Sequence, residues 1–171
     1  MANIVYFPVK YAIAQHDKIV DLTGGLSGIK DAPQLESSLL FIQDDTYYPD
    51  FLDKLTHLVY SVAMNHCFND ANKRSSIVLG AYFLEINNKE NLVPVFILEM
   101  ENIVLWVANH FLDKQDLSIF IESILTKGGF DEEDKLRLAG ILIRVEAEKP
   151  ELLKSGTKSK VQEYYDRENK S

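Results

Sequence analysis

His66-Cys67-Phe68-Asn69-Asp70-Ala71-Asn72-Lys73-Arg74 (HCFNDANKR, residues 66–74) is the stretch whose reading decides the fold. The preceding segment, FLDKLTHLVYSVAMN, repeats apolar residues at helical spacing through Leu55, Leu58, Val59, Val62 and Ala63. The following segment, SSIVLGAYFLEI, does the same through Ile77, Leu79, Ala81 and Leu84. The nine residues are therefore expected to form a loop between two helices.

The chemistry follows from that position. Residues Asn69 to Lys73 lie where the second helix begins, and the first amides of a helix have no partner inside it. A phosphate there meets backbone donors and the positive end of the helix dipole, and Lys73 and Arg74 add two cationic side chains. Asp70 would repel a bare phosphate, so its place is explained by a hard divalent cation such as Mg2+ between carboxylate and phosphate oxygens. His66 supplies an imidazole, the side chain best suited to take a proton from an attacking hydroxyl near neutral pH. The chemistry read from these residues is transfer to a hydroxyl. An ordinary capping loop of Asn and Asp with a solvated Lys-Arg pair is the structural alternative.

The nine residues resemble the signature of the Fic/Doc family, HxFx(D/E)(G/A)N(G/K)R, in its Doc-type (death-on-curing toxin) form, and fill every specified position. The resemblance runs from about Tyr11 to about Leu125 and includes QHDKIVDLTGGLSGIKDAPQLESSL upstream. It implies an all-α helical bundle, with a short flap or hairpin before the active-site loop, that uses a nucleoside triphosphate such as ATP with Mg2+ to modify a hydroxyl on a target protein. It also implies roles: His66 as base, Asp70 as metal ligand, and Phe68 as the aromatic anchoring the loop. Asn69, Ala71, Asn72, Lys73 and Arg74 would form the phosphate and nucleotide site, and Gly24, Gly25, Leu26 and Gly28 a flap holding the target's backbone. Fic-type members mostly transfer a nucleotidyl group, as in AMPylation, whereas Doc-type members transfer the γ-phosphoryl group. Fic-type sequences usually have glycine where Lys73 stands, and a second arginine where Ile77 stands. Both departures point to phosphoryl transfer, with nucleotidyl transfer as the alternative, and the resemblance implies a translation factor as the target. A catalytically silent nucleotide- or partner-binding regulator is the second alternative.

Other signals are weaker. Gly24-Gly25-Leu26-Ser27-Gly28 lacks the lysine and hydroxyl residue that end a P-loop and reads as a turn before a helix near Asp31, with Pro33 in its first turn. His16 beside Asp17 reads as a helix-surface or capping pair, and His57 and His110 as partly buried histidines on apolar helices. Trp106, Phe111 and Phe120 read as core, and Cys67, the single cysteine, as a bystander.

The 171 residues, 46% of them hydrophobic, suit one domain of residues 1–128 followed by a helical, charged extension, residues 129–171. Further helices are expected at Val9 to Asp21, Pro33 to Phe41, Glu99 to Leu112, from an Asp116 cap through Ile124 to Gly128-Gly129, and after Asp131. The last of these would bury Leu136, Ala139, Ile143 and Val145 on one face and break at Pro150, while Leu92 to Ile97 reads as extended. The final SGTKSKVQEYYDRENKS is expected to fray or to fold only against something. Within it Ser159 to Glu163 partly fits the family's inhibitory motif (S/T)xxxE(G/N), but Tyr164 follows the glutamate. A separate antitoxin is therefore the expected regulator. A net charge of −8 and a pI near 5.0 oppose nonspecific nucleic-acid binding. With no signal segment and no apolar run of membrane-spanning length expected, the cytoplasm is the predicted location.

Overall fold

The computed structural model describes residues 3–153 and 160–168. Eight α-helices make up this part of the chain: α1 (Val9–Thr23), α2 (Ala32–Phe41), α3 (Phe51–Met64), α4 (Asn72–Ile86), α5 (Val93–Ala108), α6 (Lys114–Lys127), α7 (Glu132–Glu148) and α8 (Lys160–Glu168). Among the described residues there is no strand, only an isolated antiparallel bridge between Ile29 and Phe68, so the fold is all-α as expected.

Local chemistry sets most helix ends. Asp31, Asp50, Asp113 and Asp131 accept hydrogen bonds from the third residue of α2, α3, α6 and α7, and the last two close reciprocal capping boxes with Asp116 and Asp134. Asp116 is thus the partner within the box, and the α6 cap is three residues earlier than expected. Gly128, in the left-handed region, ends α6.

The core is built on α3 and α4, which pack along each other with α5 over α4 and α6 over α3. Leu55, Leu58, Val59 and Val62 of α3 and Ile77, Leu79, Ala81 and Leu84 of α4 are buried at the expected helical spacing. Gly80 allows the close approach: a Cβ there would lie 2.9 Å from both Phe96 and Val59 side chains. Trp106, Phe111 and Phe120 are buried in the same core.

Four expectations are corrected. Leu92 to Ile97 is not extended: a 3-10 turn, Glu90–Leu92, leads directly into α5, with Pro94 in its first turn, where its missing N–H is no loss. The helix expected over Glu99 to Leu112 therefore starts and ends earlier. Residues Glu90–Ala108 are, by length and composition, apolar enough to cross a membrane, with mean hydropathy 1.5, contrary to the expectation that no run would be. Burial of Phe96, Ile97, Met100, Ile103, Val104 and Val107 in the protein's own core reads this run as a core helix. On α7 the packed positions are Asp134, Leu138, Ile141 and Val145, whereas Leu136 and Ile143 are 73% and 68% exposed and Ala139 is exposed too. That helix is apolar on two sides, and the neighbours, not the composition, chose between them. Residues 160–168 do fold against something: the chain's own α1, α4 and α5, with Val161 and Tyr164 buried. Ser159, the first residue of the partial inhibitory motif, lies outside the described residues.

Candidate active site

The loop between α3 and α4 turns on two non-glycine residues in the left-handed region, His66 (φ 50°) and Ala71 (φ 58°). Between them the chain dips into the core, burying Cys67 and Phe68, and returns to the surface at Asn69. Phe68, expected as the aromatic that anchors the loop, is 1% exposed. Its ring lies flat against the His16 imidazole, with centroids 3.9 Å apart and planes within 5°. Its backbone is clamped by the Asn72 side chain: Phe68 N–H donates to Asn72 Oδ1 at 3.0 Å and Asn72 Nδ2 donates to Phe68 O at 3.1 Å. The Asn72 amide group thus holds the loop's shape, and what Asn72 offers an anion is its backbone N–H at the first helical position.

The segment from Gly24 to Lys30 lies along this loop. Lys30 and Asp31 N–H both donate to Cys67 O, at 2.7 and 3.0 Å, and Asn69 N–H donates to Gly28 O at 3.1 Å. Asn69 Nδ2 reaches Ser27 O at 3.1 Å, and Leu26 N–H reaches Asp70 Oδ2 at 3.3 Å. The glycines are required here by position. Gly25 has φ 125°, and a Cβ on it would stand 2.5 Å from Asp70 Oδ2; Gly28 has φ 100°, and its Cβ would stand 2.9 Å from Asn69 Nδ2. Gly24 turns the chain out of α1, and Leu26 is left exposed at the tip. Asn69, though exposed, has its backbone N–H and its side-chain amide nitrogen committed to this flap.

The charged groups gather at the start of α4. Asp70 has a half-exposed carboxylate (47%). The Ala71 N–H, donating to Oδ1 at 2.6 Å, holds its pKa below the ordinary carboxylate value, helped by Leu26 N–H and by Arg74 and Lys73. Arg74 Nη1 donates to the Thr23 hydroxyl and, at 2.8 Å, to Gly24 O, while Nη2 is 4.0 Å from Asp70 Oδ2. This arginine therefore joins the end of α1 to the first turn of α4. Lys73 is exposed beside it, and no side chain caps the helix, with Ala71 at the N-cap position. The amides of Asn72, Lys73 and Arg74 are the orphan donors of that first turn. Ile77, where a second arginine would stand, is 2% exposed and part of the core.

Sequence reasoning missed His16. It is no surface or capping residue: it is 0% exposed, its Nδ1 is 2.9 Å from Ser75 Oγ, and its Nε2 has no hydrogen-bond partner. Burial pushes its pKa down, which keeps the stacked ring neutral. A signal was available, because Ala12, His16, Ile19 and Val20 fall on one helical stripe. His57 is partly buried as expected, hydrogen-bonded to Tyr48 OH at 2.9 Å and 3.1 Å from Lys114 Nζ. His110 is instead exposed, in a left-handed turn (φ 63°) after α5. Among the described residues no three His, Cys, Asp or Glu side chains converge as a metal cluster.

Taken together, the geometry defines a helical protein in which an uncapped, basic helix start and the Asp70 carboxylate lie against a glycine-rich segment, with His66 exposed at the turn that opens the loop. The Fic/DOC family sequence model matches residues 6–84, from just before α1 to the last turns of α4. Those residues carry every site group described above, and it is over them that the chain is similar to the Fic/DOC family. The chain is also 35% identical over 79 residues to "Protein kinase doc" of Escherichia phage P1, a match spanning 44% of this chain and 62% of that protein. The chain thus covers less than two thirds of that relative's length, and the family match ends well before the Leu125 limit expected from sequence.

Proposed function

We propose that this chain is a Doc-type transferase that moves the γ-phosphoryl group of a nucleoside triphosphate, ATP as the test case, to a hydroxyl on a target protein. The observation that carries this reading is the make-up of the first turn of α4: uncapped, with Lys73 exposed upon it and Ile77 buried where a second arginine would extend the anion site. The name of the phage P1 relative, a protein kinase, supports it.

In this reading His66 accepts the proton of the acceptor hydroxyl as its oxygen bonds to the γ-phosphorus and the bond to the bridging oxygen breaks. The orphan amides of Asn72, Lys73 and Arg74, with the Lys73 ammonium, hold phosphate oxygens and stabilise the charge that builds on them. Arg74 positions the loop against Thr23 and Gly24 as well as contributing charge. The flap, with its exposed Leu26, would lie beside the acceptor segment of the target. Asp70 suits Mg2+: its two hydrogen bonds leave carboxylate lone pairs free, and a magnesium site is commonly one carboxylate completed by phosphates and water. Bound there, the ion would neutralise charge between Asp70 and the phosphates. A target protein, with a translation factor as the family expectation, and a neutralising antitoxin are the partners this function implies, in the cytoplasm.

The test is transfer of label from ATP, labelled at the γ- or α-phosphate in separate reactions, to proteins of a cell lysate. Label from γ only, reduced about 10²–10⁴-fold in His66→Ala at unchanged thermal stability, is the expected result. Label from α would replace this reading with nucleotidyl transfer, and silence in both would favour the partner-binding regulator.

A further inference from the structure

The opposite end of α4 borders a different site. A cavity of about 570 Å³ opens between α1, α4, the start of α5 and α8, within the size range of small-molecule pockets. Four tyrosines line it, Tyr11, Tyr82, Tyr164 and Tyr165, and Glu85 and Glu90 stand exposed on its wall. Among the described residues, no lysine or arginine lines it. The Tyr11 and Tyr82 rings stack at 4.2 Å, and Tyr164 and Tyr165 meet edge to face at 6.1 Å.

The lining favours positive charge with a hydrocarbon body, and the Lys18 ammonium already stands 6.0 Å from the centroid of the Tyr164 ring. Ring faces attract cations through their quadrupoles and accept methylene groups equally well. Glu85 sits in the last turn of α4, which has no basic residue, so its carboxylate coincides with the negative end of the helix dipole. Lys89, between the two glutamates in sequence, is turned away onto the Phe51 ring, with Nζ 5.2 Å from the centroid. Burial pushes the Tyr11 and Tyr165 hydroxyls well above their ordinary pKa, with Glu85 adding to the effect, and Tyr164 up to about 12. These rings therefore stay neutral. The wall supplied by α8 is held in place by Tyr164 OH donating to Gln15 Oε1 at 3.0 Å and by the Lys18–Glu168 ion pair.

We infer that this cavity binds a small organic cation of the alkylammonium or polyamine class, held between the tyrosine faces and the carboxylates of Glu85 and Glu90. The site is separate from the proposed transfer chemistry, and its test does not read activity. Spermidine and tetramethylammonium are titrated into the full chain by calorimetry, with MgCl2 at matched ionic strength as competitor. The expected result is saturable one-site spermidine binding, displaced by tetramethylammonium but not by Mg2+. Binding should be weakened about 10-fold or more in the double variant Glu85→Gln/Glu90→Gln, about 2- to 5-fold in Tyr82→Leu, and little in Tyr82→Phe. Should Tyr82→Leu unfold, the double glutamine variant, whose altered groups are exposed, decides. Absence of saturable binding to the wild-type chain would overturn the inference. So would binding that Mg2+ displaces and neither variant changes, since that describes a diffuse acidic surface.

Discussion

The two ends of α4 carry opposite charges, and both are opposite to what the helix itself prefers. Acidic side chains stabilise a helix start and basic ones its end. Yet Lys73 and Arg74 occupy the first turn of α4, which has no acidic residue, and Glu85 occupies the last, which has no basic one. Capping adds to the contrast with some helices: α2, α3, α6 and α7 are each closed by an aspartate, while α4, like α1 and α5, begins with no side-chain cap. In the two proposals made above, the unfavourable charges at the ends of α4 serve ligands instead of the helix, an anion at one end and a cation at the other.

The first end depends on a buried anchor, so the largest effect should come from removing it. Phe68→Ala deletes the ring stacked on His16 and should lower stability by about 3–5 kcal/mol in urea unfolding. A loss below about 1 kcal/mol would show that the Asn72 clamp alone holds the loop. Gly25→Ala attacks the same end more locally. With φ at 125° and Asp70 Oδ2 2.5 Å from the added carbon, it should cost about 1–3 kcal/mol of stability. It should also lower kcat/KM about 10- to 100-fold in the ATP-label assay. An unchanged rate would mean that the flap lifts from Asp70 during turnover.

Acid should act on neither end of α4 first but on α3. Burial, and then Lys114, push the His57 imidazole down to about 4, so its folded pKa lies below the unfolded value of 6.5. Between those values the unfolded chain binds a proton that the folded chain refuses, and stability falls as pH drops from about 6.5 to 4. The effect should be about 1–3 kcal/mol, with His16 contributing in the same direction, and His57→Gln should flatten the profile measured by thermal unfolding. Equal slopes in the two proteins would place the acid-sensitive group elsewhere.

The smallest effects test the charge contrast itself. Lys73→Glu and Glu85→Lys should each raise stability, by about 0.3–1 kcal/mol, because each restores the sign the dipole prefers. A destabilised variant at either end would show that its charge serves the fold.

How much of this was legible follows the range of the interactions. The α3 and α4 stripes and a loop between the two helices rest on residues within a few positions of one another and were read correctly, although the loop ends at Ala71 and Asn72, Lys73 and Arg74 already form the first turn of α4. Phe68, named as an anchor through the family signature, is buried. The face that α7 packs was not read correctly, because Leu138 and Ile141 or Leu136 and Ile143 serve equally until a neighbour covers one pair. Nor could the run from Glu90 to Ala108 be separated by composition alone from a span, since only the surrounding helices distinguish burial in protein from burial in lipid.

By itself the sequence determined the helical class, the order of groups in the 66–74 segment and the turn at Gly24 to Gly28, because backbone conformation and periodicity are local properties. Only the tertiary structure decided that His16 lies against Phe68, that Arg74 reaches back 50 residues to Gly24, and that residues 160–168 complete a tyrosine-lined cavity with α1 and α4. Those pairings span tens to more than a hundred positions, and a contact of that range exists only once the chain has paid the entropy of closing the loop between its partners.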